Sequence, residues 1–140
     1  MQIPPLSATM SEGVMTMILH ESEENYLEAI LILYQERGSL RAVDLAEFLG
    51  FTKASVSRAL KNLREKDLAV VEEGGRILLT PEGLSIAEAV YERHRFLTQL
   101  LVSMGVPQEQ AVADACRMEH ILSPTSYNAI QRHFRREEEA

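Results

Sequence analysis

Three observations on this 140-residue chain predict a mainly α-helical fold, an N-terminal winged helix-turn-helix followed by a second, α-helical domain. Two short apolar-striped stretches are joined by a turn holding Gly50, and the second is rich in Lys and Arg. Gly74 and Gly75 then separate two short β-rich runs, the signal of a hairpin. Beyond residue 80 helical periodicity resumes and carries Cys116, Glu119 and His120 at i, i+3 and i+4.

The elements follow in order. Ser22 can cap a first helix, with Glu23 and Glu24 in the turn where the helix dipole favours acids. Tyr26, Leu27, Ile30, Leu31, Leu33 and Tyr34 give its apolar stripe, and Gly38 ends it. A short second helix over about residues 41–49 buries Val43, Leu45, Ala46 and Leu49, and Gly50 stops it. Thr52 caps a third helix over about 53–65, with Val56, Ala59, Leu60 and Leu63 inward. Residues 68–71 and 77–79 make the hairpin. Thr80 as cap and Pro81 at the first position open a long fourth helix, reaching about residue 104. Pro107 opens a fifth, to about residue 122, and Ser123 with Pro124 opens a sixth that ends in an acidic tail. Residues 1–20, with adjacent Pro4 and Pro5, read as a loose arm, and Met15 or Met17 could also begin the protein. The divisions expected are 1–20, 21–80 for the winged helix-turn-helix and 81–140 for the helical domain.

Composition narrows the function. A single Cys rules out an intrachain disulfide and suits a reducing cytoplasm. The first basic residue is Arg37, unlike the basic start of a secretory signal, and the apolar run at 14–19 is too short to span a membrane. The expectation is a cytoplasmic protein with no membrane partner. A net charge of −7 speaks at first sight against nucleic acid, but its distribution matters more than its sum. Lys53, Arg58, Lys61, Arg64 and Lys66 crowd one short stretch against a single acid, Glu65, while acids cluster elsewhere, at Glu21, Glu23, Glu24 and Glu28 near the start and at Glu137–Glu139 at the end.

Helix, turn, helix, hairpin is the order of a winged helix, in which the second helix of the pair enters a DNA groove. The positions expected to meet DNA are Thr52, Lys53, Ala54, Ser55, Ser57, Arg58 and Lys61, with Arg76 beside the hairpin tip. Small and hydroxylated residues let the backbone approach the groove; Arg58 suits a guanine edge, and Lys53, Lys61 and Lys66 suit phosphates.

The later helices carry a different chemistry. On one helical face, a thiolate, a carboxylate and an imidazole at Cys116, Glu119 and His120 fit a first-row divalent ion. The bland alternative is a core Cys beside a surface Glu–His pair. His94 shares a face with Val90, Leu97 and Leu101, as a core histidine also would. The first helix adds Glu24, Asn25 and Glu28, the last two three apart on one face, where a solvated acidic face is the alternative. Carboxylates on helix one, an imidazole on helix four and C-x-x-E-H on helix five can together enclose one site.

These features resemble the diphtheria toxin repressor family of metal-dependent transcriptional regulators, which includes the manganese transport regulators. The resemblance runs over about residues 21–130. It is strongest at 24–30 (ENYLEAI), 80–83 (TPEG), 93–95 (RHR) and 115–123 (ACRMEHILS). It implies a homodimer whose helical domain binds metal and dimerises. It further implies that the loaded protein binds operator DNA and represses metal uptake, with Mn²⁺ or Fe²⁺ as cofactor. Zn²⁺, Co²⁺ or Ni²⁺ would bind in vitro, and no small organic substrate is implied. Because the chain stops at Ala140, it resembles the short architecture without the SH3-like domain.

The implied metal set is Cys116, Glu119, His120, His94, Glu28 and Asn25. Glu119, His120 and His94 match ligands found across the family. Cys116 matches the iron branch, whereas Glu28 fits the manganese branch. Asn25 departs from both, offering a neutral amide oxygen where those branches have Met or Asp. Thr98 and Val112 stand where the iron branch has ancillary ligands, so one metal position is expected. Thiolate and imidazole must lose protons to bind, so affinity should weaken below about pH 6–7.

Three other readings follow from the same residues. The first is a winged-helix dimer with a degenerate metal site, metal-independent or redox-responsive through Cys116. The second is a metalloenzyme, against which stand the missing H-E-x-x-H motif and phosphate loop. The third is a pure protein-interaction module.

Overall fold

The structure, a computed structural model, describes residues 12–139, with side chains described over 22–138. Its helices are α1 (Glu12–Arg37), α2 (Ala42–Leu49), α3 (Lys53–Glu65), α4 (Pro81–Ser103), α5 (Gln108–Ile121) and α6 (Pro124–Glu139); β1 (Ala69–Val71) and β2 (Ile77–Leu79) lie between α3 and α4. The chain divides into two compact units, the first ending at Ala89 and the second beginning at Val90.

In the first unit, the apolar stripe of α1 forms the centre. Leu27, Ile30 and Leu33 are buried with Leu45 of α2, Val56 and Leu63 of α3, and Ile77 of β2. Each fully buried Leu or Ile contributes about 1.5–3 kcal/mol over exposure, so this stripe dominates the unit's stability. Gly50 closes α2 at φ 69, the left-handed conformation that a side chain disfavours. Thr52 then caps α3, its hydroxyl accepting the Ser55 N–H at 3.1 Å. The hairpin is antiparallel in the register Ala69↔Leu79 and Val71↔Ile77. Ile77 N–H also donates to the Leu40 carbonyl, fastening the wing to the segment before α2.

This division falls inside α4, whose first turns belong to the first unit for a local reason. The Thr80 hydroxyl donates to the Asp67 carbonyl and accepts the Gly83 N–H. Gly83 lies so close to the Leu68 carbonyl that a Cβ would come within 2.0 Å of that oxygen. The first turns of α4 are therefore locked onto the wing.

Three expectations need correction. α1 begins at Glu12 rather than after Ser22, so residues 12–20 are helical and not a loose arm; after Gly13 that stretch holds no Gly or Pro to break a helix. Residues 1–11 lie outside the described residues. Tyr34 and Val43, expected inward, are 47% and 53% exposed, because the apolar stripes of α1 and α2 are narrower than their periodicity suggested.

The second unit has its own core. Leu97 of α4, Ala115 of α5 and Tyr127 of α6 are buried, flanked by Phe96, Leu100, Met118 and Leu122. Phe96 makes edge-on contacts with Tyr127 and Phe134, centroids 5.7 and 5.5 Å away.

Candidate metal centre and nucleic-acid interface

Ala111, Ala115 and Glu119 recur every four residues along α5 and are all fully buried. Small alanines let α5 approach its neighbours closely, and the same stripe carries Glu119 into the core. A carboxylate there, in the last turn of α5, is desolvated and lies at the negative end of the helix dipole. Both effects disfavour an anion, so the position demands positive charge. Two imidazoles supply the setting: His94 Nδ1 of α4 lies 3.0 Å from Glu119 Oε2, and His120 Nε2 lies 3.2 Å from Oε1. Cys116, a free thiol one turn earlier, is half-buried. Its Sγ and the ligand atoms of Glu119 and His120 all lie within 4.8 Å of one another.

The chemistry of this set fits a divalent cation. Two ligand atoms each ~2.1 Å from one ion, at right angles, stand ~3.0 Å apart, the separation found between His94 and Glu119. The structure thus brings together four residues expected from sequence: Cys116, Glu119, His120 and His94. Glu28 of α1 is buried at 8% exposure. Asn25 lies one turn before it on the same helix. Thr98 and Val112 add no donor to the set: Val112 is apolar and 40% exposed, while the Thr98 hydroxyl is buried without a hydrogen-bond partner among the described residues.

Sequence reasoning gave no role to Arg93. Its Nη1 donates to the carbonyls of Glu119 and Leu122, at 3.2 and 3.4 Å, satisfying orphan acceptors at the end of α5. Its guanidinium also stacks over the Tyr127 ring, 4.9 Å from the centroid. Arg93 therefore ties α4, α5 and α6 together beside the His94–Glu119 pair. The signal for it was in the chain: a helix ending in Leu122–Ser123–Pro124 needs a donor from elsewhere. Burial pushes the Tyr127 phenol above its ordinary pKa; Glu92 adds to this, and Arg93, Arg135 and the Gln131 hydrogen bond oppose it.

In the first unit, α3 carries most of the residues expected from sequence to meet DNA. Lys53, Ala54, Ser57, Arg58 and Lys61 are exposed, while Val56, Leu60 and Leu63 hold the inner face. Thr52 and Ser55 are joined by their hydroxyls at 2.9 Å and serve the cap. Arg76 is exposed beside the hairpin turn, where Glu72 N–H donates to its carbonyl. Lys66 differs from expectation: it pairs with Glu23 of α1, so it braces the unit rather than standing free for a phosphate. Burial raises the Tyr26 pKa, with the Arg58 charge opposing.

A basic reading helix with a wing, in a chain that also carries a thiolate–carboxylate–imidazole site, defines a metal-responsive DNA-binding regulator. Comparison with known proteins agrees. Residues 18–75 match the N-terminal DNA-binding domain of iron-dependent repressors, and residues 80–138 match their metal-binding and dimerisation domain. The HTH-type transcriptional regulator MntR of Geobacillus kaustophilus is 37% identical over 111 residues, covering 79% of this chain and 77% of that protein. Among solved structures, IdeR of T. acidophilum is 27% identical with a TM-score of 0.66, over 79% of this chain. The manganese regulator SloR shares the fold at a TM-score of 0.71 and 23% identity, over 81% of this chain. The chain spans about half of each of these two structures, 53%. It belongs to the iron-dependent repressor family of transcriptional regulators, which are not enzymes, and is a metal-dependent DNA-binding repressor. Among the described residues, no helix is long and apolar enough to cross a membrane.

Proposed function

We propose that this chain works in the cytoplasm as a homodimer that represses metal-uptake genes when loaded with Mn²⁺ or Fe²⁺, held by Cys116, Glu119, His120 and His94. The observation that carries this reading is the fully buried Glu119 carboxylate, with an imidazole nitrogen at 3.0 Å on one side and 3.2 Å on the other. A bound divalent cation places positive charge beside this carboxylate and joins donors from α4 and α5. Glu119 contributes a full negative charge where solvent does not screen it. His94 and His120 contribute neutral nitrogen donors, and Arg93 holds the end of α5 so that the donors keep their spacing. Cys116 contributes a thiolate, a soft donor that favours Fe²⁺, Co²⁺, Ni²⁺ and Zn²⁺ over Mn²⁺. The carboxylate pulls toward the harder Mn²⁺.

Glu28 and Asn25 enter the proposal from the sequence. They stand three apart on α1, the central helix of the DNA-reading unit, so ligation by them would couple the ion to that unit. The family description supports iron, and SloR, which shares the fold, is a manganese regulator. The test is Co²⁺ substitution. The loaded protein should show a thiolate-to-cobalt charge-transfer band that Cys116→Ser abolishes. Glu28→Gln should weaken binding without removing the band. A Co²⁺ complex without that band would remove Cys116 from the ligand set.

A further inference from the structure

We propose that the Thr98 hydroxyl donates a hydrogen bond to the Cys116 thiolate when that sulfur holds the ion, and that this bond tilts the site toward Mn²⁺ or Fe²⁺ and away from Zn²⁺. Thr98 acts through Cys116 and is not itself a ligand. The inference rests on the ligation by Cys116 proposed above. Its first support is the state of the hydroxyl. Thr98 Oγ1 is buried and has no hydrogen-bond partner among the described residues. A helical Thr can bond the carbonyl three or four residues back, and this one does not, so its hydroxyl is turned away from the α4 backbone. A buried hydroxyl without a partner is costly, which calls for an acceptor that the loaded site supplies.

Helical geometry places that hydroxyl beside the sulfur. Contacts between α4 and α5 pair Leu97 with Ala115, His94 with Glu119 and Arg93 with Leu122, so α5 runs back along α4. Leu97 and Ala115 pack with Tyr127 on one flank of this helix pair. One residue further along, each helix has turned by about 100°. In an antiparallel pair these turns carry both side chains to the same flank, the one away from Tyr127, and the residues that follow are Thr98 and Cys116. The ligand atoms of Glu119 and His120 lie within 4.8 Å of Cys116 Sγ, and His94 stands one turn before Thr98 on α4. The chemistry then follows from the sulfur. A thiol accepts a hydrogen bond weakly, whereas a thiolate, being charged, accepts one strongly. A hydroxyl donating to it draws charge from the sulfur and makes it a harder donor, and softness is what favours Zn²⁺ over Mn²⁺.

The full chain loaded with Co²⁺ is read by absorption beside Thr98→Val, which keeps the shape and removes the hydroxyl, and Thr98→Ser, which keeps the hydroxyl. A hydrogen bond lowers the energy of the sulfur electrons. Thr98→Val should therefore move the thiolate-to-cobalt charge-transfer band to longer wavelength, and Thr98→Ser should leave it in place. Competition between Mn²⁺ and Zn²⁺ should shift toward Zn²⁺ by about tenfold in Thr98→Val, the low end of what is lost with a group that supports a metal ligand. Thr125→Val, the same change at an exposed position of α6, should alter neither. A band of unmoved energy in Thr98→Val overturns the proposal. So does an equal loss of affinity for both ions, which a merely structural role would give. Should Thr98→Val fail to fold, Thr98→Ala carries the same two expectations. Absence of the band from the unsubstituted chain would instead remove Cys116 from the ligand set, and this inference with it.

Discussion

Replacing Glu119 by Gln removes a charge while keeping the shape of a fully buried side chain, so its effects on metal and on fold can be separated. Free ion at a hundred times its Kd stabilises a folded protein by about 2.7 kcal/mol. For a chain of this length about 3 °C accompanies each kcal/mol, so the loaded protein should melt about 8 °C above the metal-free one. Loss of even a supporting group at a metal site weakens affinity by about 10–100-fold, and a direct carboxylate ligand belongs at the upper end. At the same ion concentration the variant then sits near its own Kd, and the shift shrinks to about 1 °C. The metal-free variant should melt at or above the metal-free parent, because a desolvated anion at the negative end of α5 has been neutralised. Differential scanning fluorimetry with and without Mn²⁺ reads both numbers. A retained shift of about 8 °C would show that Glu119 is not a ligand. A fall of about 10 °C in the metal-free form, as when a buried ion pair worth about 3–5 kcal/mol is broken, would make Glu119 a structural partner of the imidazoles instead.

Three further outcomes follow. Arg93→Met should lower stability by about 2–3 kcal/mol through the lost bonds to the Glu119 and Leu122 carbonyls, and weaken metal binding by about tenfold, as calorimetry would show. Gly83→Ala should destabilise the DNA-reading unit by about 3 kcal/mol or more, since its methyl meets the Leu68 carbonyl oxygen, and chemical denaturation would record this. The raised Tyr127 pKa predicts loss of stability at high pH. The folded protein keeps the phenol proton above pH 10, where the unfolded chain releases it, so stability is full below pH 10 and falls as pH rises toward the folded pKa. In Tyr127→Phe that part of the alkaline decline should vanish from melting curves.

Much of this architecture is written in local chemistry. Gly50, Thr52, Thr80 and Pro81 each mark an element end by a backbone requirement, and the structure places ends at or next to them, with the Gly74–Gly75 pair in the turn between β1 and β2. Helical spacing put Cys116, Glu119 and His120 on one face, because i, i+3 and i+4 depend on nothing beyond the helix itself. What could not be read depends on three-dimensional neighbours. The tie from Arg93 to α5 joins residues 26 and 29 apart, and the Lys66–Glu23 pair spans 43 positions. The exposure of Val43 reflects which side of α2 the core reaches, not its periodicity. Helix over residues 12–20 was missed because Ser22 offers a good cap that the chain, already helical, does not use.

The most direct test of the account is anisotropy of promoter DNA titrated with the metal-free protein, then with protein loaded with Mn²⁺ or, anaerobically, Fe²⁺. The account predicts that one of these ions tightens binding at least tenfold, about 1.4 kcal/mol or more of coupling, and that His120→Ala abolishes the gain. Equal affinity with and without both ions would contradict it, leaving the buried Glu119 site without control over the DNA-reading helix.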